Sequence, residues 1–379
     1  MKSKRVFSFL TAVSLLVGGA LFAQNDELYP LEDESWAFLL LHNDPGQGQG
    51  SSPDEDLGMK GAVAFQGTLS ATAMSSINAG QKALLRKLDD RAEERAASDG
   101  AAASTNGIST WISPYYRHTH RSGMEEKGGV SKEDSGGSGF GLDLPFRNLV
   151  IGGAFDAGYT RSTYTYGEAT TKNDSEYFGL TMYADWAEDK LRVYGGLGFS
   201  LDSHDFTFEQ KNHDFGFRYK KSTDSNTYAL TWAVIGEYKV YDKAVYVTPY
   251  AGVRHAFIDT EAYKIGMVSF DSDPQYIFRF PIGVKVGHLF NCSGFTLRPQ
   301  ANLSIEPVLG DTKVSTKIHS RAIGTSETSK ARMTDGFYYD ASVGVTAGFY
   351  GIALTLAYDF HGSEHETEHG VSLTYNWRF

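Results

Sequence analysis

Gly370-Val-Ser-Leu-Thr-Tyr-Asn-Trp-Arg-Phe379 closes the chain. Val371, Leu373, Tyr375, Trp377 and Phe379 are apolar, and Ser372, Thr374, Asn376 and Arg378 between them are polar. Alternation with a period of two defines a β-strand with one apolar and one polar face. The pattern recurs upstream. Phe140, Leu142, Leu144 and Phe146 form one apolar face; Phe178, Leu180, Met182, Ala184 and Trp186 form another. Ile352, Leu354, Leu356, Tyr358 and Phe360 alternate with Ala353, Thr355, Ala357 and Asp359. One such strand would suit a soluble sheet. A long series of them reads as a barrel wall, apolar toward lipid and polar toward a lumen.

The start of the chain agrees. Lys2, Lys4 and Arg5 precede an apolar run from Phe7 to Val17 and the small residues Gly18-Gly19-Ala20. This pattern predicts a secretory signal over residues 1–23, cut after Ala23. The apolar run is shorter than the roughly 18–20 residues that a spanning helix needs. Loss of its three cations takes the formal net charge from −11 to −14, which argues against a nucleic-acid partner. The one cysteine, Cys292, allows neither an intrachain disulfide nor a cysteine-based zinc site. After residue 23 no stretch of 18 residues is continuously apolar. A secreted, acidic chain with 41 Gly, 22 Tyr and 24 Phe, and no such stretch, has the composition of a bacterial outer-membrane barrel.

Residues 24–66 are acidic and turn-rich, with a short apolar patch at Trp36-Ala-Phe-Leu-Leu-Leu41 and a Gly46-Gln-Gly-Gln-Gly50 run. The segment is too short for a core of its own and is expected to be mostly disordered. Residues 67–107 read as a helix followed by a linker. Ile77, Leu84, Leu85, Leu88 and Ala92 recur at helical spacing among charges of both signs. With no soluble domain to pack on, a helix about 10–12 Å across fits a polar pore.

From residue 108 to residue 379 the chain reads as twelve strands, centred on 108–117, 138–146, 149–161, 175–186, 190–202, 226–239, 244–257, 276–289, 294–306, 337–348, 351–360 and 370–379. Short turns fall at Arg147-Asn148, Ala187 to Asp189, Val240 to Lys243, Asn291 to Ser293 and Tyr350. Longer loops are expected at 118–137, 162–174, 203–225, 258–275, 307–336 and 361–369. Alternating short and long connections are the rule of outer-membrane barrels. Aromatics at the short-turn ends (Phe146, Trp186, Tyr238, Phe290, Phe295, Phe349, Trp377 and Phe379) read as an interfacial girdle. The polar faces carry Asp143, Asp156, Asp185, Arg192, Glu237, Arg254, Arg279, Lys285, Arg298, Asp340, Asp359 and Arg378, which are assigned to the lumen.

These residues carry a resemblance. Trp111-Ile-Ser-Pro-Tyr-Tyr116, Gly139-Phe-Gly-Leu-Asp143, Val150-Ile-Gly-Gly-Ala-Phe-Asp-Ala-Gly-Tyr159, Tyr177-Phe-Gly-Leu-Thr-Met-Tyr-Ala-Asp-Trp186 and Val247-Thr-Pro-Tyr-Ala-Gly-Val-Arg254 resemble strands of the autotransporter β-domain, the translocator of type V secretion. Asn376-Trp-Arg-Phe379 resembles that family's terminal assembly signal. The resemblance implies an all-β protein, a twelve-stranded antiparallel transmembrane barrel with an N-terminal helix threaded through its pore. It implies insertion by the barrel-assembly machinery through the strand ending at Phe379. It also implies an outer membrane of Gram-negative type, contact with its lipid and lipopolysaccharide, and a monomeric barrel. Family passengers are usually hundreds of residues long; here about 43 lie between signal and helix. Asn78 is the one asparagine near the helix, with no Asn-Asn pair to suggest self-cleavage.

No catalytic, cofactor-binding or metal-ligating residue is assigned, and the chain is not expected to be an enzyme. His361, His365 and His369 crowd the last loop with Glu364, Glu366 and Glu368, and read as a solvated tip rather than a zinc site. His118 and His120 sit on one strand face, and Arg117 and Arg121 are candidates for lipopolysaccharide phosphates. Asp202 and His204 are placed near the barrel rim, where such a pair could serve a protease. The serine and histidine pattern of outer-membrane phospholipases is missing. The expected function is translocation or display of the short N-terminal segment at the cell surface. Two alternatives are a surface adhesin acting through external loops and a small solute channel.

Overall fold

The computed structural model describes residues 65–74, 77 and 108–378, apart from short gaps at 126–127, 168, 213–216, 243–244, 267, 293–294, 321–324 and 350. The expected signal, the acidic segment 24–64, most of the charged helix and Phe379 lie outside the described residues.

The described strands, in chain order, are β1 (Ser109–Glu125), β2 (Gly128–Phe146), β3 (Leu149–Tyr166), β4 (Ala169–Glu188), β5 (Leu191–Asn212), β6 (Phe217–Tyr238), β7 (Tyr241–Asp242), β8 (Val245–Thr260), β9 (Tyr263–Ile265), β10 (Val268–Ser272), β11 (Gln275–Arg279), β12 (Ile282–His288), β13 (Phe290–Cys292), β14 (Phe295–Gly310), β15 (Lys313–Ser320), β16 (Thr325–Arg332), β17 (Phe337–Phe349), β18 (Ile352–Gly362) and β19 (Glu366–Arg378). Twelve staves make the barrel: β1 to β6, β8, the broken pair β11 and β12, β14, β17, β18 and β19. Each stave pairs antiparallel with its chain neighbour. β19 then pairs with β1, from Ser109 opposite Arg378 to Arg121 opposite Glu366, and closes the ring. The closure is what lipid demands, because an open sheet edge would leave backbone groups without partners in hydrocarbon.

The faces sort as the alternation predicted. Phe140, Leu142, Leu144, Leu180, Leu197, Leu303, Leu354, Leu356 and Leu373 are exposed on the outside. Asp143, Asp185, Arg192, Glu237, Arg279, Arg298 and Asp359 are buried in the lumen, whereas Arg378 is exposed at the short-turn end. Phe146, Tyr238, Phe290, Phe295 and Phe349 form the girdle at the short turns. A second girdle faces it across the apolar band: Tyr116, Tyr159, Tyr276, Tyr339 and Tyr358. The Tyr116 hydroxyl donates to Asp134 at 2.5 Å, and that of Tyr159 donates to Asp174. Each ring therefore sits in the apolar band with its polar tip pointing out of it. From Leu149 to Tyr159, β3 covers about 33 Å along the strand. At a tilt of about 40° this is about 25 Å of membrane height, the thickness of an outer-membrane apolar band.

Above the second girdle the expected long loops are largely strand. Residues 118–137, 162–174 and 203–225 belong mostly to hairpins β1–β2, β3–β4 and β5–β6. β5 continues from Asp202 to Asn212, a further rise of about 33 Å along the strand. The reason is a change of solvent rather than of backbone. Beyond Tyr159 the outer face becomes Arg161, Thr163 and Thr165, while the inner face keeps Ser162, Tyr164 and Tyr166 buried. Once one face meets water, the apolar alternation that marks a membrane strand disappears.

Segments 258–275 and 307–336, also expected as loops, supply the ends of β8 and β14 and a separate four-stranded sheet in the order β16-β15-β10-β9. We call this sheet the cap. Its inner face (Tyr263, Ile265, Val268, Phe270, Ile318 and Ala331) packs against Tyr164, Tyr166, Phe206 and Phe208 of the tall hairpins in one buried cluster.

Glycine has a specific use in this wall. Trp111 stands opposite Gly141, Tyr183 opposite Gly152 and Tyr246 opposite Gly287. A side-chain carbon at any of these glycines would collide with the facing ring. The missing Cβ is the slot in which the lumen ring lies. Gly141→Val should therefore expel the Trp111 indole and cost about 1–3 kcal/mol. Gly153→Val, where a Cβ would meet nothing within 4 Å, serves as the control. A lowered thermal midpoint of the detergent-purified barrel for the first variant and an unchanged one for the second is the expected result.

Candidate functional site in the barrel lumen

Residues 65–74 form a helix enclosed by the upper barrel and the cap. Its sequence, Phe65-Gln-Gly-Thr-Leu-Ser-Ala-Thr-Ala-Met74, contains glycine, serine and threonine, which are weak helix formers. Packing holds it instead. At four-residue spacing each stripe of the helix meets a different wall. Phe65 and Leu69 enter the cap cluster, with the Phe65 ring 4.7 Å from that of Phe206. Gln66 and Ser70 donate to Ser272 at 2.9 Å and Gln275 at 3.2 Å. Thr72 donates to Glu133 at 2.9 Å. Ala71, Met74 and Ile77 join Ala229, Ile258, Ile277 and Tyr338 in a second apolar cluster. A side-chain carbon at Gly67 would strike the Arg332 carbonyl of the cap.

The helix has a direction. Phe65 lies under the cap among the tall hairpins, and Ile77 lies deeper, beside β6, β8 and β11. β1 then starts at Ser109, opposite Arg378, at the short-turn end. The two described elements on either side, the helix and β1, are thus placed at opposite ends of the barrel.

Ion pairs ring the helix and the space below it. Arg121 is buried, bonds Glu133 at 2.8 Å, lies 3.4 Å from Glu366 and donates to the helix carbonyl of Ala71 at 3.4 Å. Arg117 pairs with Glu368 at 3.1 Å. Arg279 bonds Glu306 at 3.1 Å and lies over the Tyr338 ring at 4.9 Å. Near the short turns, Arg192 bridges Asp185 at 2.9 Å and Glu237 at 3.0 Å, and Lys285 also reaches Glu237. Below the helix, a cavity of about 100 Å³ is lined by Tyr194, Tyr250, Arg254, Lys285, Asp340 and Asp359 among others. At the cap junction, in the connection between β16 and β17, Asp335 is held below its ordinary carboxylate range. Burial opposes this, but hydrogen bonds from Ser363 and from His365, together with the His365 charge, outweigh it.

Several residues singled out in the sequence go elsewhere than expected. Arg117 and Arg121 point into the lumen and are occupied by carboxylates, so they are not available to lipopolysaccharide phosphates. Asp202 and His204 are fully buried in the wall rather than at the rim; His204 lies 3.3 Å from Asn173 and 3.0 Å from Thr227. His361, His365 and His369 face three directions. His361 stacks on Tyr338 in the lumen, His365 bonds Asp335 at 3.0 Å at the hairpin tip, and His369 bonds Tyr358 at 2.7 Å on the outer face. His118 pairs with Asp134 at 2.9 Å on the outer face. Among the described residues no group of three or more potential ligands could hold a metal ion. The residues that matter most to the lumen and that sequence reading did not single out are Phe65, Leu69, Thr72 and Glu133. The 65, 69 spacing was the available signal.

A closed twelve-stranded barrel with a helix inside its lumen defines an outer-membrane translocator fold. The autotransporter β-domain family model matches residues 110–359, and the chain belongs to that family. Solved structures agree on the fold. The translocator domain of NalP from Neisseria meningitidis is 16% identical, with a TM-score of 0.56, covering 83% of this chain and 99% of that one. The β-domain of the Bordetella autotransporter BrkA is 16% identical, with a TM-score of 0.54 and coverage of 72% and 100%. The transport unit of AIDA-I from Escherichia coli is 8% identical, with a TM-score of 0.56 and coverage of 74% and 92%. No curated protein matches the chain in a sequence search.

Two measurements check the lumen. Arg121→Met leaves Glu133 and Glu366 buried around a missing cation and should destabilise the barrel by about 3–5 kcal/mol. The triple variant Arg121→Met, Glu133→Gln, Glu366→Gln should regain part of that loss, read as the temperature of heat-modified gel mobility. Deletion of residues 65–77 should raise single-channel conductance in planar bilayers several-fold. Free conduction by the full chain would contradict an occupied lumen.

Proposed function

We propose that this autotransporter barrel carries its own short N-terminal segment, residues 24–64, to the cell surface and holds it there by the lumen helix. The observation that supports the reading is the direction of that helix. Its N-terminal end, Phe65, lies among the tall hairpins, and β1 begins at the short-turn end. In outer-membrane barrels short turns face the periplasm and long connections face outward, so the N-terminal end of the helix is turned to the outer side. A chain in that position has crossed the membrane. Residues 1–23 direct export to the periplasm in this reading and are removed there. β19 presents the terminal signal to the barrel-assembly machinery, and the barrel works as a monomer with no catalysis of its own.

A second reading has its own support. The tall hairpins and the cap form a large folded external surface, as an adhesin acting through its loops would need. Surface labelling separates the two. An epitope tag after Asn25 should be labelled on intact cells while a periplasmic control protein stays unlabelled. A heat-modifiable barrel in the outer membrane whose tag is not labelled would exclude display and leave the hairpins as the working surface.

A further inference from the structure

The outer face of the cap departs from the charge of the chain. Residues opposite one another in an antiparallel ladder share a face. His319 lies opposite Ser269 and Ser326, Lys317 opposite Asp271 and Thr328, Ser315 opposite Lys330, and Lys313 opposite Arg332; Ser269 is also opposite Lys264. All of these stand on one side, because the alternate residues Val268, Phe270, Val314, Thr316, Ile318 and Ala331 are buried on the other. Lys264, Lys313, Lys317, His319 and Lys330 are exposed. Among the described residues of this face Asp271 is the one carboxylate, and Asp273, at the edge, reaches Lys317 at 3.0 Å. In a protein of net charge −11, this is a basic external platform.

The chain carries a segment of the opposite sign next to it. Between Gln24 and Met59 there is no lysine or arginine, and the carboxylates come in clusters: Asp26-Glu27, Glu32-Asp33-Glu34 and Asp54-Glu55-Asp56, with Asp44 between. The attachment point is under the cap, where Gln66 bonds Ser272 of β10 and Gly67 meets the carbonyl of Arg332 in β16. Eight residues lie between Asp56 and Phe65, a reach of about 30 Å when extended. The cap is about 14 Å wide and about 27 Å long. The nearest acidic cluster can therefore reach the platform, and the more distant clusters, on longer lengths of chain, can reach its far parts.

We propose that the acidic N-terminal segment, residues 26–56, docks on the basic outer face of the cap of its own chain. This rests on the display reading, which puts both on the outer side. Docking would tether the segment along the barrel surface instead of leaving it to extend into the medium. It would also present Trp36-Ala-Phe-Leu-Leu-Leu41, flanked by anchored acidic clusters, at a fixed place above the cap. The attraction is between exposed charges, so it is governed by ionic strength. The screening length falls from about 30 Å at about 10 mM salt to about 3 Å at about 1 M.

The test is hydrogen–deuterium exchange of the full-length protein in a nonionic detergent at those two salt concentrations. Residues 26–34 and 54–56 should exchange several-fold more slowly at low salt, and the protection should vanish at high salt. Lys264→Gln, Lys313→Gln, Lys317→Gln and Lys330→Gln together should abolish it, whereas four Lys→Arg changes should preserve it. Heat-modifiable mobility verifies that both variants are folded. Equal exchange in the wild type and the Gln variant would overturn the proposal. Protection that disappears on dilution would also overturn it, because the occupant would then be a second copy. Display fails independently: an unlabelled tag after Asn25 on intact cells refutes it, whereas a labelled tag with salt-insensitive exchange refutes docking alone.

Discussion

The ladder between β1 and β19 is the constraint on which the rest depends. It joins the two ends of the barrel domain, Ser109 to Arg378 and Arg121 to Glu366, and without it the wall would be an open sheet in lipid. Closure at twelve staves fixes a lumen wider than eight strands leave and narrower than the channel of a sixteen-stranded porin. One helix suits that space. The ladder also decides which side chains meet inside. Arg117 and Arg121 of the first strand face Glu368 and Glu366 of the last, so the closing seam is fastened by buried ion pairs as well as by backbone hydrogen bonds.

Because the lumen is polar and enclosed, its charges have to be matched within it. Arg121 illustrates the consequence. Its guanidinium touches β2 through Glu133, β19 through Glu366 and the helix through the carbonyl of Ala71. Glu133 in turn accepts from Thr72. The helix thus completes a network that the wall begins. A wall network with an unfilled place is more costly than either a complete one or an apolar one, so the same residues that close the barrel also favour keeping the helix inside it. In this way a structural seam contributes to retaining the helix.

What the sequence disclosed, and what it withheld, follows from the solvent on each face. Where one face meets lipid and the other the lumen, as in Phe140 to Phe146 or Ile352 to Phe360, alternation is strong, and stave number, position and lumen residues could all be read. Where the outer face meets water and the inner face is buried but mixes hydroxyls with aromatics, as in Arg161 to Tyr166, strands look like loops. The cap was hidden for the same reason. Lys313 to Ser320 alternates charged with small or apolar residues, but its apolar face is short and meets partners more than a hundred residues away, Tyr164 and Phe65 among them. A helix before the barrel was expected from residue 67, but Phe65 and Gln66 fell in the segment read as disordered, because glycine, serine and threonine in Phe65 to Met74 weigh against helix locally and the fitted lumen supports it. Arg117 and Arg121 were misplaced because an external loop was expected from residue 118, whereas β1 continues to Glu125. The alternation that puts His118 and His120 outside puts the arginines inside.

The cap changes what the barrel can be. A bare twelve-stranded barrel with a helix would still have an external mouth. Here Phe65 and Leu69 of the helix are part of the same buried cluster as Phe270, Ile318 and Ala331 of the cap, so helix and cap hold each other. Burying side chains such as these is worth about 1.5–3 kcal/mol apiece, and a second cluster joins Ala71, Met74 and Ile77 of the helix to Val314 of the cap. The helix cannot leave the lumen without exposing the underside of the cap, and the cap cannot lift without exposing the end of the helix. Helix and cap therefore form one packed unit that closes the external mouth around the helix, and this locked state is what the proposed display of a short segment would require.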